Sequence, residues 1–234
     1  MKSLRIATLV GVVSTLTALQ SWATPMNLTE SWPDLAAQFL SIDYTSGDGT
    51  YTASGYTTSY VDTQGGPELL QGAGDYTLTA TITGAGVLTA GSISINGDVG
   101  AGTELLLSGE LQTGSSGPGG AFGFVDAHGG AQLGDYNIFE FLFTIDGGSL
   151  ANDFGGLGAS GGVVVDAQFD NVTDFAGDWT TDFHSDSGNA NANNFAVEVV
   201  PEPSSAFLIF LGLAMSATSR HRAKALFTKL VKNS

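Results

Sequence analysis

The chain has 234 residues with a formal net charge of −16 at pH 7, and it contains 33 Gly and no Cys. The lack of Cys excludes a disulfide framework and Cys-based metal sites. All seven Lys and Arg lie near the two ends, and no Lys or Arg occurs from Ile6 to Ser219. A segment without cations to neutralise phosphates argues against nucleic-acid binding and against nucleotide chemistry.

The N-terminus has the order of features that is typical of a secretory signal peptide. Lys2 and Arg5 precede an apolar run, and Ser21-Trp22-Ala23 places small residues at the −3 and −1 positions of a cleavage site. We therefore predict a signal peptide over residues 1–23, export through the Sec translocon, and cleavage between Ala23 and Thr24. An uncleaved N-terminal anchor helix is the alternative.

Residues 24–200 are predicted to form one Gly-rich, acidic, extracytoplasmic β domain. In residues 76–83 apolar side chains alternate strictly with Thr, which predicts a half-buried strand, and Gly84-Ala85-Gly86 and Asn96-Gly97 are turn signals. Several short strands with Gly-rich turns favour an all-β fold, an antiparallel sandwich or barrel-like domain. One short helix is predicted near Ser31–Leu40, because Ser31 could cap it and Pro33 suits an early helical position. The predicted strands are residues 51–61, 76–83, 87–95, 103–111, 139–145, 163–165 and 195–200.

A row of aspartates recurs every four residues from Asp166 onward, with aromatic side chains between them at odd positions. Helical spacing would stack like charges, so a strand-like pattern with aromatics inward and carboxylates outward fits better. The row is either a solvated face or a calcium-binding edge that uses Asn171 and Asn189 as further ligands. No metal or other cofactor is otherwise predicted. The calcium candidates are Asp170, Asp174, Asp178, Asp182 and Asp186.

No catalytic constellation stands out, and we predict that the protein is not an enzyme. A glycosidase needs two carboxylates facing across a cleft, but Glu140 lies on the polar face of a predicted strand and is expected to point to solvent. His128 and His184 could act as bases in a hydrolase, yet the sequence has no G-x-S-x-G elbow. His128 lies in Gly-rich surroundings, and His184 is expected in a surface loop. A secreted hydrolase is thus the weaker alternative.

The stronger alternative is a carbohydrate-binding module. Trp179 and the cluster of Tyr51, Tyr56 and Tyr60 could supply flat faces on which sugar rings stack. The competing interpretation places Trp179 in the core and the tyrosines at strand edges. A row of exposed aromatic rings would favour sugar binding, whereas a buried Trp179 would weaken it.

The C-terminal residues 201–234 combine a strand-stopping tripeptide, an apolar segment and a basic cluster. Neither proline of Pro201-Glu202-Pro203 can donate to a sheet, and Ala206–Thr218 is apolar or small throughout. Arg220 and Arg222 could reach lipid headgroups and fix the orientation of this segment, with the acidic domain outside the cytoplasm. We predict a single transmembrane helix followed by a basic amphipathic extension.

Pro201-Glu202-Pro203, the apolar segment and Arg220-His221-Arg222 together resemble the PEP-CTERM sorting signal of exported bacterial proteins. The resemblance implies Gram-negative export and tethering to the inner membrane. It also implies recognition by an exosortase-type enzyme, then transfer to the cell surface or extracellular matrix alongside exopolysaccharide and biofilm systems. We therefore expect a non-enzymatic exported envelope or matrix protein, with exopolysaccharide as a further partner.

Overall fold

The computed structural model describes residues 25–127, 135–169, 175, 177–185 and 190–197, and these residues contain strands and turns but no helix. The strands follow one another along the chain with short connections. They are β1 (Asp34–Thr45), β2 (Thr50–Val61), β3 (Pro67–Ile82), β4 (Val87–Gly97), β5 (Glu104–Leu111), β6 (Gly114–Ser115), β7 (Phe122–Ala127), β8 (Asp135–Gly147), β9 (Ser160–Phe169), β10 (Phe183–His184) and β11 (Ala190–Ala196).

Eight of these strands close into an antiparallel barrel. The order around the sheet is β2-β3-β4-β5-β8-β9-β11-β1, and β1 pairs back onto β2. Three short strands extend this wall: β6 pairs with β4, β7 with β8, and β10 with β1. The predicted all-β fold is therefore confirmed, in its barrel form. Closure leaves the eight main strands without an unpaired edge.

The alternating strand over residues 76–83 is confirmed within β3. Leu78, Ala80 and Ile82 are buried on the inner side, as is Tyr76, while the intervening threonines lie on the outer side. The predicted turn after it is also present, where the Gly86 amide donates to the Thr83 carbonyl at 2.7 Å. Local pattern was sufficient here because both neighbours of β3 pair with it directly along the chain.

The predicted helix near Ser31–Leu40 is wrong, because β1 begins at Asp34 and pairs with β2 on one side and with β11 on the other. A β-bulge around Gln38 and Phe39 shifts the alternation, which is why Leu35 and Ala37 are buried on one side of it and Leu40 on the other. The local signals at Ser31 and Pro33 that suggested a helix are outweighed by strand pairing on both sides.

The predicted Asn96-Gly97 turn is also wrong. Both residues belong to β4, where they pair with Leu105 and Glu104 of β5. The connection lies just beyond, where a carboxylate oxygen of Asp98 accepts hydrogen bonds from the amides of Gly100 and Gly102 at 2.7 and 2.9 Å. An Asp that bonds the backbone two residues ahead makes the turn in place of the Asn-Gly pair.

Aromatic rings fill much of the barrel interior. The rings of Phe175 and Trp179 meet edge to face with centroids 4.7 Å apart, and those of Phe139 and Phe183 stack at 5.8 Å. Such offset and edge-to-face pairs stabilise a core beyond their buried area. The interior rings of this cluster are Tyr44, Tyr51, Phe122, Phe124, Phe139, Phe141, Phe175, Trp179 and Phe183.

Candidate functional site

Several predicted functional residues lie outside the described residues. These are the sorting motif Pro201, Glu202 and Pro203, the orienting Arg220 and Arg222, the cleavage pair Ala23 and Thr24, the calcium candidates Asp170, Asp174 and Asp186, and His128. The predicted signal peptide, transmembrane helix and sorting function therefore remain predictions.

Asp178 and Asp182, two of the described members of the aspartate row, support turns. The Asp178 carboxylate accepts hydrogen bonds from the amide and hydroxyl of Thr180, and Asp182 accepts from the amide and hydroxyl of Ser46 at 2.7 and 2.6 Å. These bonds hold the pKa of each carboxyl below its usual value. Among the described residues no three Asp, Glu or His side chains are grouped so that they could hold a metal ion.

The described aromatic side chains next to these aspartates, Phe175, Trp179 and Phe183, point inward, as the sequence pattern predicted. Trp179 is only 2% exposed and packs against other rings of the core. Residues 177–182 form turns and bends, so the pattern is carried by an irregular segment and not by the predicted strand. The Tyr44 hydroxyl lies 2.8 Å from the Trp179 carbonyl oxygen, which ties this segment to β1.

The predicted sugar-stacking residues are mostly in the core. Tyr51 and Tyr60 are buried like Trp179, and only Tyr56, at 51% exposed, presents its ring to solvent. The sugar-binding face that the sequence suggested is therefore not assembled from these four residues. His184 is exposed on β10 and pairs with Asp43 of β1, an arrangement that holds two strands together at the surface.

Glu140 does not point to solvent, contrary to the prediction. It lies on the outer face of β8 as expected, but residues 25–33, the N-terminal strap, cross over it and bury it. Its carboxylate accepts three backbone hydrogen bonds, from Met26 at 2.5 Å, Asn27 at 3.2 Å and Leu28 at 2.7 Å. Consecutive amides converging on one carboxylate form an anion-binding nest, which fixes the strap to the barrel wall.

The N-terminal strap continues across the outer face toward β11. The Glu30 carboxylate accepts a hydrogen bond from the Asn193 side-chain amide at 2.7 Å, and the Ser31 hydroxyl donates to the Ala196 carbonyl at 2.6 Å. Both bonds join the strap to the outer side of β11, which pairs with β1. These bonds therefore hold Trp32 and Asp34 in a defined position on the barrel surface.

A surface groove of about 410 Å³ opens there, lined by Glu30, Ser31, Trp32 and Asp34. The Trp32 side chain is 63% exposed. One side of its ring lies against Gly65, where an added Cβ would come within 2.5 Å of the ring. A residue with a side chain at Gly65 would therefore displace the indole. The sequence signal that could have found this tryptophan is its position next to Pro33, just before the first strand.

The groove is strongly anionic and lacks a compensating cation. Burial, followed by the charge of Glu30, raises the pKa of Asp34 to about 6, although amides of Asn194 and Leu35 partly oppose the shift. Asp34 Oδ1 is buried and has no hydrogen-bond partner. Burial and Glu30 also raise the pKa of Asp166 on β9. Glu30 therefore repels both Asp34 and Asp166 on the outer wall.

No helix within the residues that the structure describes is both long and apolar enough to span a membrane.

A scan against protein-family models and searches of curated proteins and of solved structures found no match to this chain.

Proposed function

We propose that this chain is a non-enzymatic, exported envelope or extracellular-matrix protein that is sorted by its C-terminal segment. The signal peptide directs it through the Sec translocon, and cleavage follows Ala23. The C-terminal helix then tethers it to the inner membrane with Arg220 and Arg222 on the cytoplasmic side. An exosortase-type enzyme recognises Pro201-Glu202-Pro203 and transfers the barrel to the cell surface or matrix.

The observation that carries this proposal is the separation of charge along the chain. All 23 Asp and Glu lie from Glu30 to Glu202, while the seven Lys and Arg flank the two apolar terminal segments. Basic clusters beside apolar segments resist translocation, whereas an acidic domain crosses readily. The same order of tripeptide, apolar segment and arginines is the basis of the sorting assignment.

The absence of an enzymatic role is supported by what the candidate groups do in the barrel. The Glu140 carboxylate is fully used in holding the N-terminal strap. His184 and Asp43 pair on the exposed surface. Ser185, which follows the histidine, is buried and its hydroxyl oxygen accepts the amide of Ile42 at 2.9 Å. Catalytic groups must instead converge on a space where a substrate can sit.

Replacement of the tripeptide tests the sorting role. We expect Pro201-Glu202-Pro203→Ala-Ala-Ala to leave export and membrane insertion intact, because the apolar segment is unchanged, but to block release. The full-length form then accumulates in the inner membrane, as fractionation with an antibody to the barrel measures. Ser204-Ser205→Ala-Ala is the matched control and should be released like the wild type.

A deletion tests the orienting charges separately from the tripeptide. Removal of residues 220–234 should let the short apolar segment pass through the membrane, which gives unprocessed secreted protein. Release of the triple-alanine variant at the wild-type rate would overturn the sorting role and leave an ordinary membrane anchor.

Carbohydrate binding is the second candidate function, and one observation favours it. The residues first suggested for it are largely buried, but Trp32 presents an exposed indole beside a polar groove. Exposed aromatic rings with one apolar face and nearby polar groups suit polyhydroxylated ligands.

A further inference from the structure

Exposed aromatic rings gather on one strand pair of the barrel. Trp32 lies two residues before β1, Phe39 is within β1 and Tyr56 is within β2, and they are 63%, 61% and 51% exposed. The other two large exposed apolar side chains of the described residues, Leu105 and Leu157, lie on β5 and in the loop after β8. Single exposed apolar residues are ordinary, whereas a row on one face marks an interaction surface.

Phe39 is held outward by an unfavourable backbone. Its φ is 57°, in the left-handed region that a bulky residue rarely adopts. The neighbouring strand accommodates the bulge through Gly55, where a Cβ would meet the carbonyl oxygens of Gln38 and Phe39 at 2.9 Å. A strained aromatic residue that gains no burial from its strain is the kind of outlier that indicates function.

The row runs along the strands and ends at the anionic groove. Trp32 and Phe39 are seven positions apart, which at ~3.3 Å per extended residue corresponds to at most about 23 Å. Glu30 and Asp34 line the groove at the Trp32 end, and Asp34 Oδ1 is buried there without a partner. Tyr56 lies opposite Gln38 in the β1–β2 register, next to Phe39.

Charge decides which ligand fits. The described residues contain no Lys or Arg, so nothing in the barrel neutralises Glu30, Asp34 and Asp166. Anionic polymers are repelled by this face, and the described acidic groups do not form a metal cage. An ammonium group would both pair with the carboxylates and interact with the face of the indole.

We propose that Trp32, Phe39 and Tyr56 form a track that binds a polysaccharide carrying free amino groups. The apolar faces of successive sugar rings stack on the aromatic rings, and an ammonium group of the sugar pairs with Asp34 and Glu30 in the groove. The biological meaning of this binding rests on the proposed matrix role. The binding itself does not depend on sorting.

Calorimetric titration of the purified full-length chain with a glucosamine hexasaccharide tests the proposal, at near-neutral pH and physiological salt to screen nonspecific attraction. We expect Trp32→Ala and Phe39→Gly each to weaken binding about tenfold, since each removes a stacking face. Leu157→Ala removes an equally exposed apolar side chain elsewhere (71% exposed) and should bind like the wild type.

A second pair of variants tests the charge. Asp34→Asn should also weaken binding about tenfold, whereas Glu110→Gln, which removes one charge at an exposed position of β5, should leave it unchanged. The N-acetylated hexasaccharide, which lacks the ammonium groups, should bind at least tenfold more weakly than the free amine. Far-ultraviolet circular dichroism of each variant verifies the fold.

Several results would overturn the proposal. The aromatic track is rejected if Trp32→Ala and Phe39→Gly both bind like Leu157→Ala. The ammonium recognition is rejected if the N-acetylated ligand binds equally well, or if Asp34→Asn behaves like Glu110→Gln. Binding of a hexalysine peptide, but not of the hexasaccharide, with loss in Trp32→Ala would assign the surface to a protein partner instead. A failure of sorting would appear only in the fractionation assay.

Discussion

The contact between Glu140 and the N-terminal strap can be tested by a single substitution. In Glu140→Gln one carboxylate oxygen becomes an amide NH₂ while the side chain keeps its size. Oε2 accepts from Met26 and Asn27 and Oε1 accepts from Leu28, so the amide oxygen can retain at most the first two bonds. The new NH₂ group then faces the Leu28 amide, donor against donor.

The size of the effect follows from these contacts. A hydrogen bond to a charged group contributes about 1.5–3 kcal/mol, and a neutral one about half as much. The substitution removes one charge-assisted bond, weakens two others and leaves a buried amide unpaired. We therefore expect the free energy of unfolding to fall by about 3 kcal/mol, a large part of the 5–15 kcal/mol that is typical of a domain.

Urea unfolding followed by tryptophan fluorescence measures this change, because Trp179 is buried in the core. Glu110→Gln, the same chemical change at an exposed position, should stay within ~0.5 kcal/mol of the wild type. Hydrogen exchange at the amides of Met26, Asn27 and Leu28 reports the strap locally. If Glu140→Gln unfolds like Glu110→Gln and these three amides stay protected, the carboxylate does not hold the strap.

For three further substitutions the direction of the change in stability can be predicted. Because the pKa of Asp34 is raised to about 6, ionisation of Asp34 destabilises the fold as the pH rises from ~4 through 6. In thermal melts, Asp34→Asn should therefore be more stable than the wild type at pH 7 by about 1–2 kcal/mol, a figure reduced for the partial exposure of the side chain, and should lose that advantage near pH 4. Asp182 has the opposite sign, because its lowered pKa means that the ionised carboxylate stabilises the fold at any pH above the ordinary pKa of the group. Asp182→Asn should therefore melt at a lower temperature than the wild type at pH 7 and at the same temperature in strong acid, and a difference that does not depend on pH would contradict the role of the charge. Phe39→Gly should raise the free energy of unfolding by about 0.5–1 kcal/mol because Gly accepts the left-handed backbone, whereas the control Tyr56→Gly in β2 should lower it. A loss of stability in Phe39→Gly would show that packing of the Phe39 ring outweighs the strain of its backbone.

The sequence alone determined the class of fold, because the decisive signals are local. The alternation over residues 76–83 and the phenylalanines at 139, 141 and 143 report which side of a strand faces the core, and those residues are buried. The inward direction of Phe175, Trp179 and Phe183 was also readable. Burial of apolar side chains governs these positions whatever the partner strands are.

The local patterns that failed did so where pairing with another strand decided the outcome. Residues 34–40 pair with both β2 and β11, and the capping signals at Ser31 and Pro33 that suggested a helix do not outweigh this pairing. Asn96-Gly97 lies in a strand because β5 extends the pairing past it. Turn and helix propensities contribute less than the hydrogen bonds and packing that a closed sheet supplies.

The candidate site depended still more on tertiary structure. Glu140 has the position of a solvent-facing residue, and only the strap that crosses it turns its carboxylate into a buried acceptor of three amides. Trp179 and Trp32 each have an acidic residue within two positions in the sequence, yet Trp179 is in the core and Trp32 lies against Gly65 at the surface. Sequence can indicate that a ring will be buried in a strand pattern, but exposure is set by what the rest of the chain leaves uncovered, and that is decided only when the barrel closes.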